Sequence, residues 1–220
     1  LFGDVRSGVR HASVALSEPL LRLEKVSEAL QHDLVLKLGE RLVRKRLQAL
    51  AASASVHIVV AAHADRLDPS HSVTHRVQAH IAPLCEALLV APPPHAEACR
   101  GATSRLMSAS GIVAHLWDQA TVDVLPFGEI RVARALCAAL TAPSAPPDAL
   151  LFASNSSPIR HLDSYCDRTP RVLANRGASG IDGILHTSLG AALAHTELGT
   201  NDRLTALLIG DLAALHDTSA

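Results

Sequence analysis

The alternation of short β-branched apolar runs with longer stretches of helical periodicity is the feature that most constrains the fold of this chain. Strands of a parallel sheet are buried on both faces, so they read as short apolar runs. The alternation predicts an α/β fold, a Rossmann-like parallel sheet flanked by helices. The predicted strands cover residues 33–38, 56–61, 150–154, 171–175 and 204–209, and the predicted helices cover residues 18–30, 41–52, 81–89, 96–119, 129–140, 158–165 and 182–197.

Composition and charge exclude several classes of function. The formal net charge is −1 with His neutral and the Arg residues are spread along the chain, so we expect no nucleic-acid partner. No stretch has the uninterrupted apolar length of a membrane span and no secretory signal pattern opens the chain, which predicts a soluble protein. The four cysteines lie far apart and are interpreted as reduced core thiols: Cys85, Cys99, Cys137 and Cys166.

The densest motif is a glycine-rich segment, Asn175-Arg-Gly-Ala-Ser-Gly-Ile-Asp-Gly183, which follows a predicted strand and opens a predicted helix. Glycines at a spacing of three allow a tight turn, and a helix N-terminus presents backbone N–H groups to an anion. The segment differs from the GxGxxG motif of dinucleotide-binding folds. A plain strand-to-helix turn is the alternative interpretation.

Two other motifs also follow predicted strands, where ligands of open α/β sheets bind. In Ser154-Asn-Ser-Ser-Pro-Ile-Arg160, Ser156 is a suitable N-cap and Arg160 could bind a substrate carboxylate, although a single Arg is more often a solvated surface residue. Gly210-Asp211 ends the last strand, and a carboxylate there suits a Mg²⁺ ion that bridges to phosphates. Gly-Asp at the end of a strand is also common without such a role.

Basic and histidine-rich positions give weaker signals. Helical spacing distributes Arg41, Arg44, Lys45 and Arg46 over more than one face, which is most simply a solvated surface, although a substrate with several carboxylates would need such cations. His71 and His75 have i, i+4 spacing without an obvious third ligand, so a structural metal is not expected.

The chain length suits one domain together with part of another. Proline-rich segments at residues 91–94 and 141–148 have the composition of exposed loops or linkers. The better boundary lies near residue 165, where a loop precedes a new strand and the glycine-rich segment. We therefore expect a middle domain over residues 1–165 and the truncated start of a diphosphate-binding domain over residues 166–220.

The motifs together resemble one family. Leu173-Ala-Asn-Arg-Gly-Ala-Ser-Gly-Ile-Asp-Gly183, followed about a helix later by Leu208-Ile-Gly-Asp-Leu-Ala-Ala-Leu-His-Asp217, is similar to the signature of the SEPHCHC synthases, thiamine-diphosphate-dependent enzymes of menaquinone and phylloquinone biosynthesis. The resemblance extends over nearly all of the chain. The stretch Asp68-Pro-Ser-His71 resembles most the cyanobacterial and plant branch of the family.

The resemblance implies a reaction in which thiamine diphosphate attacks 2-oxoglutarate, CO₂ leaves and the succinyl unit adds to the ring of isochorismate. It assigns Asp211 as a Mg²⁺ ligand, Gly210 beside it as part of the cofactor site, and Ile181 as the apolar wedge that keeps the cofactor bent. It also assigns a group of residues to the substrates' carboxylates and hydroxyls: Lys45, Arg46, Ser156, Arg160 and Arg176.

The same resemblance implies that essential parts lie outside this chain. The glutamate that activates the cofactor belongs to a preceding pyrimidine-binding domain, and further metal ligands follow, so we expect these 220 residues to be catalytically silent by themselves. The parent is expected to be a homo-oligomer, cytoplasmic if bacterial and plastid-located if from a photosynthetic eukaryote. The alternative is a noncatalytic Rossmann-like module that binds an anionic ligand or a partner domain.

Overall fold

The computed structural model describes residues 1–30, 32–39, 41–65, 68–90, 96–124, 126–177, 179–197 and 203–219. The chain forms two compact units: Glu18–Leu106 is one, and Leu1–Ser17 together with Met107–Ala220 is the other. The helices are α1 (Ser17–Leu20), α2 (Glu24–Ala29), α3 (Lys45–Ala52), α4 (Ile81–Leu89), α5 (Ala96–Asp123), α6 (Glu129–Thr141), α7 (Ser157–Tyr165), α8 (Ile184–Glu197) and α9 (Asp211–His216). Short 3-10 turns occupy Arg10–Ala12 and Asp217–Ser219.

The unit Glu18–Leu106 contains the first sheet, in the order β1-β2-β3 with all pairs parallel: β1 (Leu34–Leu38), β2 (Val56–Ala61) and β3 (His75–Gln78). β2 is the central strand and the most buried, with Val60 fully enclosed. β3 is an edge strand whose residues are largely exposed. An edge strand of this kind is held by backbone pairing and carries little apolar signal of its own.

The other unit contains the second sheet, in the order β5-β4-β6 and again parallel: β4 (Leu150–Ala153), β5 (Arg171–Leu173) and β6 (Thr205–Leu208). All four residues of β4 are buried. Since aromatic residues make up only 2% of the chain, the core is mainly aliphatic, with Leu151, Ile159, Leu162 and Ile184 fully enclosed. β4 is therefore the centre of this unit.

A buried ion pair connects the first residues of the chain to α7. Asp163 is 0% exposed and accepts hydrogen bonds from the Arg10 Nη1 atom at 2.8 Å and from the Val5 backbone N–H at 2.9 Å. The Arg10 guanidinium, 4% exposed, also donates to the Cys166 carbonyl oxygen and to the Asp163 carbonyl oxygen. Because these buried groups are paired with one another, the N-terminal segment is fixed against the end of α7.

The α/β class with parallel strands flanked by helices is confirmed, although the strands in the described part of the chain form two three-stranded sheets rather than one. Each of the five predicted strands is present within two residues of its predicted limits. β3 was not predicted, because its sequence His-Arg-Val-Gln is polar. The predicted loop at residues 91–94 lies outside the described residues.

Two helix predictions were partly wrong: one predicted helix is interrupted in its interior, and the other begins later than predicted. The helix expected over residues 18–30 is interrupted between α1 and α2, where the N–H groups of Arg22 and Leu23 bond three residues back. The helix expected from residue 41 begins at Lys45, since Arg44 is extended and the Gln48 side chain donates to the Leu42 carbonyl oxygen at 2.6 Å. That side-chain bond stabilises a non-helical approach to α3.

The predicted domain boundary near residue 165 stays a prediction. β4 precedes that position and pairs with β5 and β6, which follow it. None of the helices in the described ranges combines the length and the hydropathy that a membrane-spanning helix requires.

Candidate functional site

The strand order of the second sheet creates a topological switch point. The chain passes from β4 to β5 on one side and then returns across β4 to form β6 on its other side. In open parallel sheets, ligands bind in the crevice outside the carboxyl ends of the strands at such a point. The carboxyl ends of β4 and β6 are adjacent here, since the Ser154 N–H donates to the Leu208 carbonyl oxygen at 2.8 Å. Ser156 and Asp211 therefore follow neighbouring strand ends.

Ser156 connects β4 to α7 in a strained conformation. Its φ of 69° and ψ of −128° fall in a region that favours glycine. It occupies the N-cap position as predicted, but its side chain makes no capping hydrogen bond, so the hydroxyl is not used to begin the helix. Strain of this kind is concentrated at ligand sites, and the exposed Ser156 fits that pattern.

We expect Ser156→Gly to raise the free energy of unfolding by about 1 kcal/mol, because glycine adopts this φ without strain. Ser156→Ala is the matched variant, since it removes the same hydroxyl and keeps the strain. Urea unfolding of both variants measures the difference. Equal stabilities for the two variants would show that the backbone here is not strained.

Arg176 is fixed at this edge by Asn155, the residue after Ser154. The Arg176 Nη1 atom donates to the Asn155 Oδ1 atom at 3.0 Å, and the Asn155 Nδ2 atom donates to the Gly180 carbonyl oxygen at 2.7 Å. Asn155 is 3% exposed, whereas Arg176 is half-buried. A single amide thus connects the end of β4 to the glycine-rich segment that follows β5.

The N-terminus of α8 is capped from within the chain. The Asp217 carboxylate accepts the Gly183 N–H at 2.9 Å and the Leu185 N–H at 2.8 Å. These bonds hold the pKa of Asp217 below its ordinary value, chiefly through Leu185 and then Gly183. Two N–H groups at this helix start are therefore occupied by Asp217 and are not offered to an external anion, which favours the plain-turn alternative at this position.

The predicted cofactor residues lie at the same carboxyl edge. Ile181 is half-buried and packs, with Ile209, against a cluster formed by Phe152, Ile184 and Ala213. Gly210 precedes α9 in extended conformation, and Asp211 opens α9 with an exposed side chain. Exposure leaves the Asp211 carboxylate accessible to a cation. Arg160, one turn into α7, is also exposed.

Lys45 and Arg46 belong to the other compact unit, where both are exposed at the start of α3. The Arg46 Nη1 atom donates to the Glu18 Oε1 atom at 2.6 Å, and the Glu18 side chain is largely buried. A ligand carboxylate at Arg46 would therefore have to share the guanidinium with Glu18. No local sequence pattern indicated this ion pair, because Glu18 lies 28 positions earlier.

Among the described residues, no group of three or more His, Cys, Asp or Glu side chains is arranged to hold a metal ion. Asp211 thus supplies one carboxylate only. Sequence reasoning missed Asn155 and Asp217 as functional candidates. Asn155 carried a signal, because it follows a buried strand, whereas the role of Asp217 depends on contacts more than 30 positions away in the chain.

The fold and the switch-point site define a parallel α/β chain that places an arginine and a carboxylate at the carboxyl edge of a sheet. A family model described as "Middle domain of thiamine pyrophosphate" matches residues 1–146. Since this match covers more than half of the 220 residues, the chain belongs to the family of middle domains of thiamine pyrophosphate enzymes.

Curated relatives are similar over most or all of the chain. The 2-succinyl-5-enolpyruvyl-6-hydroxy-3-cyclohexene-1-carboxylate (SEPHCHC) synthase of Chlorobium phaeovibrioides is 35% identical over 100% of this chain and 36% of its own length. The synthase of the same name from Rubrobacter xylanophilus is 38% identical over 86% of this chain and 31% of its own length. That from Shewanella oneidensis is 34% identical over 100% of this chain and 37% of its own length.

The resemblance to SEPHCHC synthases that the motifs predicted is therefore confirmed. The chain spans about a third of the length of the curated relatives it matches. Its placement in the cyanobacterial and plant branch stays a prediction.

Proposed function

We propose that the protein containing this chain is a thiamine-diphosphate-dependent synthase that joins decarboxylated 2-oxoglutarate to isochorismate in menaquinone or phylloquinone biosynthesis. The observation that carries the proposal is the arrangement at the switch point, where Arg176 is fixed by Asn155 beside the strained Ser156. Similarity to SEPHCHC synthases supports the choice of reaction. The expected end product, menaquinone or phylloquinone, depends on the parent organism.

The residues at the carboxyl edge fit one side of a thiamine diphosphate site. Ser154 Oγ is buried at the end of β4 and makes no hydrogen bond to any described residue, so this hydroxyl could bond to a ligand. Ile181 offers a half-buried apolar side chain, and Gly210 leaves room for close backbone approach next to Asp211. When bound, thiamine diphosphate supplies the reactive carbon and the electron sink that a 2-oxo acid needs for decarboxylation.

The chain's own residues bind and orient the substrates in this proposal. Arg176 and Arg160 would pair with carboxylates, since guanidinium groups match carboxylate geometry with two parallel hydrogen bonds. Ser156 would donate its hydroxyl, which the start of α7 does not use. Lys45 and Arg46 would contribute further positive charge, with the guanidinium of Arg46 shared with Glu18.

Asp211 would hold Mg²⁺ together with ligands from outside this chain. Mg²⁺ is usually held by one or two carboxylates together with phosphate oxygens and water, so a single exposed carboxylate is an incomplete site. The activating glutamate also lies outside these residues in the proposal. We therefore expect the 220-residue chain to bind the cofactor weakly and to be catalytically silent.

Isothermal titration of this chain with thiamine diphosphate and Mg²⁺ tests the half-site directly. We expect weak binding that Asp211→Ala abolishes and that Arg176→Ala, which removes a substrate-binding residue, leaves in place. Arg168→Ala is the matched control, because Arg168 is exposed and precedes β5 at the opposite edge of the sheet. An equal loss of cofactor binding in Arg168→Ala would show that the loss in Asp211→Ala is not specific to the site.

Turnover by the full-length protein tests the reaction. We expect consumption of isochorismate and release of CO₂ only when 2-oxoglutarate, thiamine diphosphate and Mg²⁺ are all present. A full-length protein without turnover, whose isolated chain also fails to bind the cofactor, would favour the noncatalytic Rossmann-like module instead.

We further propose that the parent is a homo-oligomer and that residues 166–220 open its diphosphate-binding domain. The curated relatives described above are bacterial, which supports a cytoplasmic rather than a plastid location.

A further inference from the structure

We propose that Asn155 is a positioning residue for Arg176 in the substrate site, an inference that rests on the proposed function. Neither the motifs nor the similarity to known synthases assigns this role. The side chain is 3% exposed and lies at the switch point, between a predicted substrate residue and the glycine-rich segment.

The orientation of the Asn155 amide is fixed by its two partners. The Arg176 guanidinium can only donate, so it requires the amide oxygen, and the Gly180 carbonyl can only accept, so it requires the amide nitrogen. A flipped amide would place donor against donor and acceptor against acceptor. Asparagine is therefore the residue whose side chain satisfies both neighbours at this length without adding charge.

Neutrality matters for the function of Arg176. A carboxylate at position 155 would form an ion pair with the guanidinium and compete with a substrate carboxylate for the same charge. The neutral amide accepts from the Nη1 atom and adds no charge of its own. Asn155 thus orients the guanidinium without placing a negative charge beside it.

The bond to Gly180 extends the effect to the cofactor side. Gly180 immediately precedes Ile181, which packs against the core cluster of the second sheet. Because the Asn155 side chain is itself buried, leaving its amide without partners would be costly. Arg176 and the segment carrying Ile181 are therefore positioned by one side chain.

The test is a pair of double-mutant cycles on kcat/KM in the full-length holoenzyme, in which KM is measured separately for isochorismate and for 2-oxoglutarate. Asn155→Ala is expected to lower kcat/KM by about 10- to 100-fold, mainly through a higher KM for one carboxylate substrate. Asn155→Ala combined with Arg176→Ala should lower kcat/KM by clearly less than the product of the two single effects, because both changes remove the bond between Asn155 and Arg176 and only the loss of the Gly180 bond is added.

The control cycle combines Asn155→Ala with Arg160→Ala. Because no bond joins Asn155 to Arg160 in the described hydrogen bonds, we expect these two effects to multiply. If Asn155 had a purely structural role, the loss of kcat/KM caused by Asn155→Ala would multiply with the loss caused by Arg176→Ala as well as with that caused by Arg160→Ala. That result would overturn the inference.

Asn155→Asp is the second variant, to be used if Asn155→Ala does not fold, because aspartate keeps the shape of the side chain. It retains the acceptor for Arg176, loses the donor to Gly180 and adds the competing charge. We therefore expect a higher KM, and a much smaller increase of KM in the Arg176→Ala background. Circular dichroism and the melting temperature verify folding of each variant. Absence of turnover and of 2-oxoglutarate binding in the unsubstituted holoenzyme would overturn the proposed function and this inference with it. Normal turnover of the unsubstituted holoenzyme, together with effects of Asn155→Ala and Arg176→Ala on kcat/KM that multiply, would overturn the positioning role alone.

Discussion

Arg10→Ala is expected to lower the free energy of unfolding by about 3–5 kcal/mol, the usual cost of removing one partner of a buried ion pair. Asp163, which is 0% exposed, would lose the guanidinium nitrogen that lies 2.8 Å from its carboxylate. The carbonyl oxygens of Cys166 and Asp163 would lose their guanidinium donors at the same time. Urea unfolding followed by circular dichroism measures the change.

Arg6→Ala is the matched control for this prediction. Arg6 lies four positions earlier and pairs with Asp4 at 3.3 Å, but its side chain is 26% exposed, so we expect a loss below about 1 kcal/mol. The double variant Arg10→Met/Asp163→Leu should be more stable than Arg10→Ala, since it removes both buried charges together. Similar stabilities for the Arg10→Ala and Arg6→Ala variants would contradict the role given to the buried pair.

Asp217→Ala is expected to lower the melting temperature by roughly 2–8 °C, because it removes the cap of a 14-residue helix. Gly183 and Leu185 would both lose the acceptor for their N–H groups. Asp182→Ala is the control, since Asp182 is an exposed carboxylate that contacts only His216 at 3.1 Å in the described ion pairs. Differential scanning calorimetry should show a much smaller change in that control.

The acid limb of the stability profile should depend on Asp217. Its pKa is lowered first by the Leu185 and Gly183 N–H groups, and the nearby His186 and His216 act in the same direction. A carboxyl with a depressed folded pKa stabilises the protein fully above its unfolded pKa of about 3.9, and that stabilisation is lost as the pH falls through the folded pKa. We therefore expect a steeper fall in stability below about pH 4 in the unsubstituted chain than in Asp217→Asn. If stability falls equally steeply below about pH 4 in the unsubstituted chain and in Asp217→Asn, this role of Asp217 is contradicted.

The sequence alone determined the fold class and where the motifs lie. The apolar runs predicted five of the six strands found among the described residues, because strands of a parallel sheet covered by helices are mainly apolar. The glycine-rich segment, Ser156 and Asp211 were correctly expected after strands, since strand ends are local features of the chain. The site roles of Lys45, Arg46, Ser156, Arg160, Arg176, Ile181, Gly210 and Asp211 stay predictions.

Tertiary structure alone decided which strands and side chains meet. Periodicity does not specify a partner strand, so the division into two sheets and the order β5-β4-β6 that creates the switch point could not be read from it. The pairing of Arg10 with Asp163 spans 153 positions, and those of Arg176 with Asn155 and of Asp217 with Leu185 span 21 and 32. Such bonds depend on the distance between residues in the folded chain, and no local pattern encodes that distance.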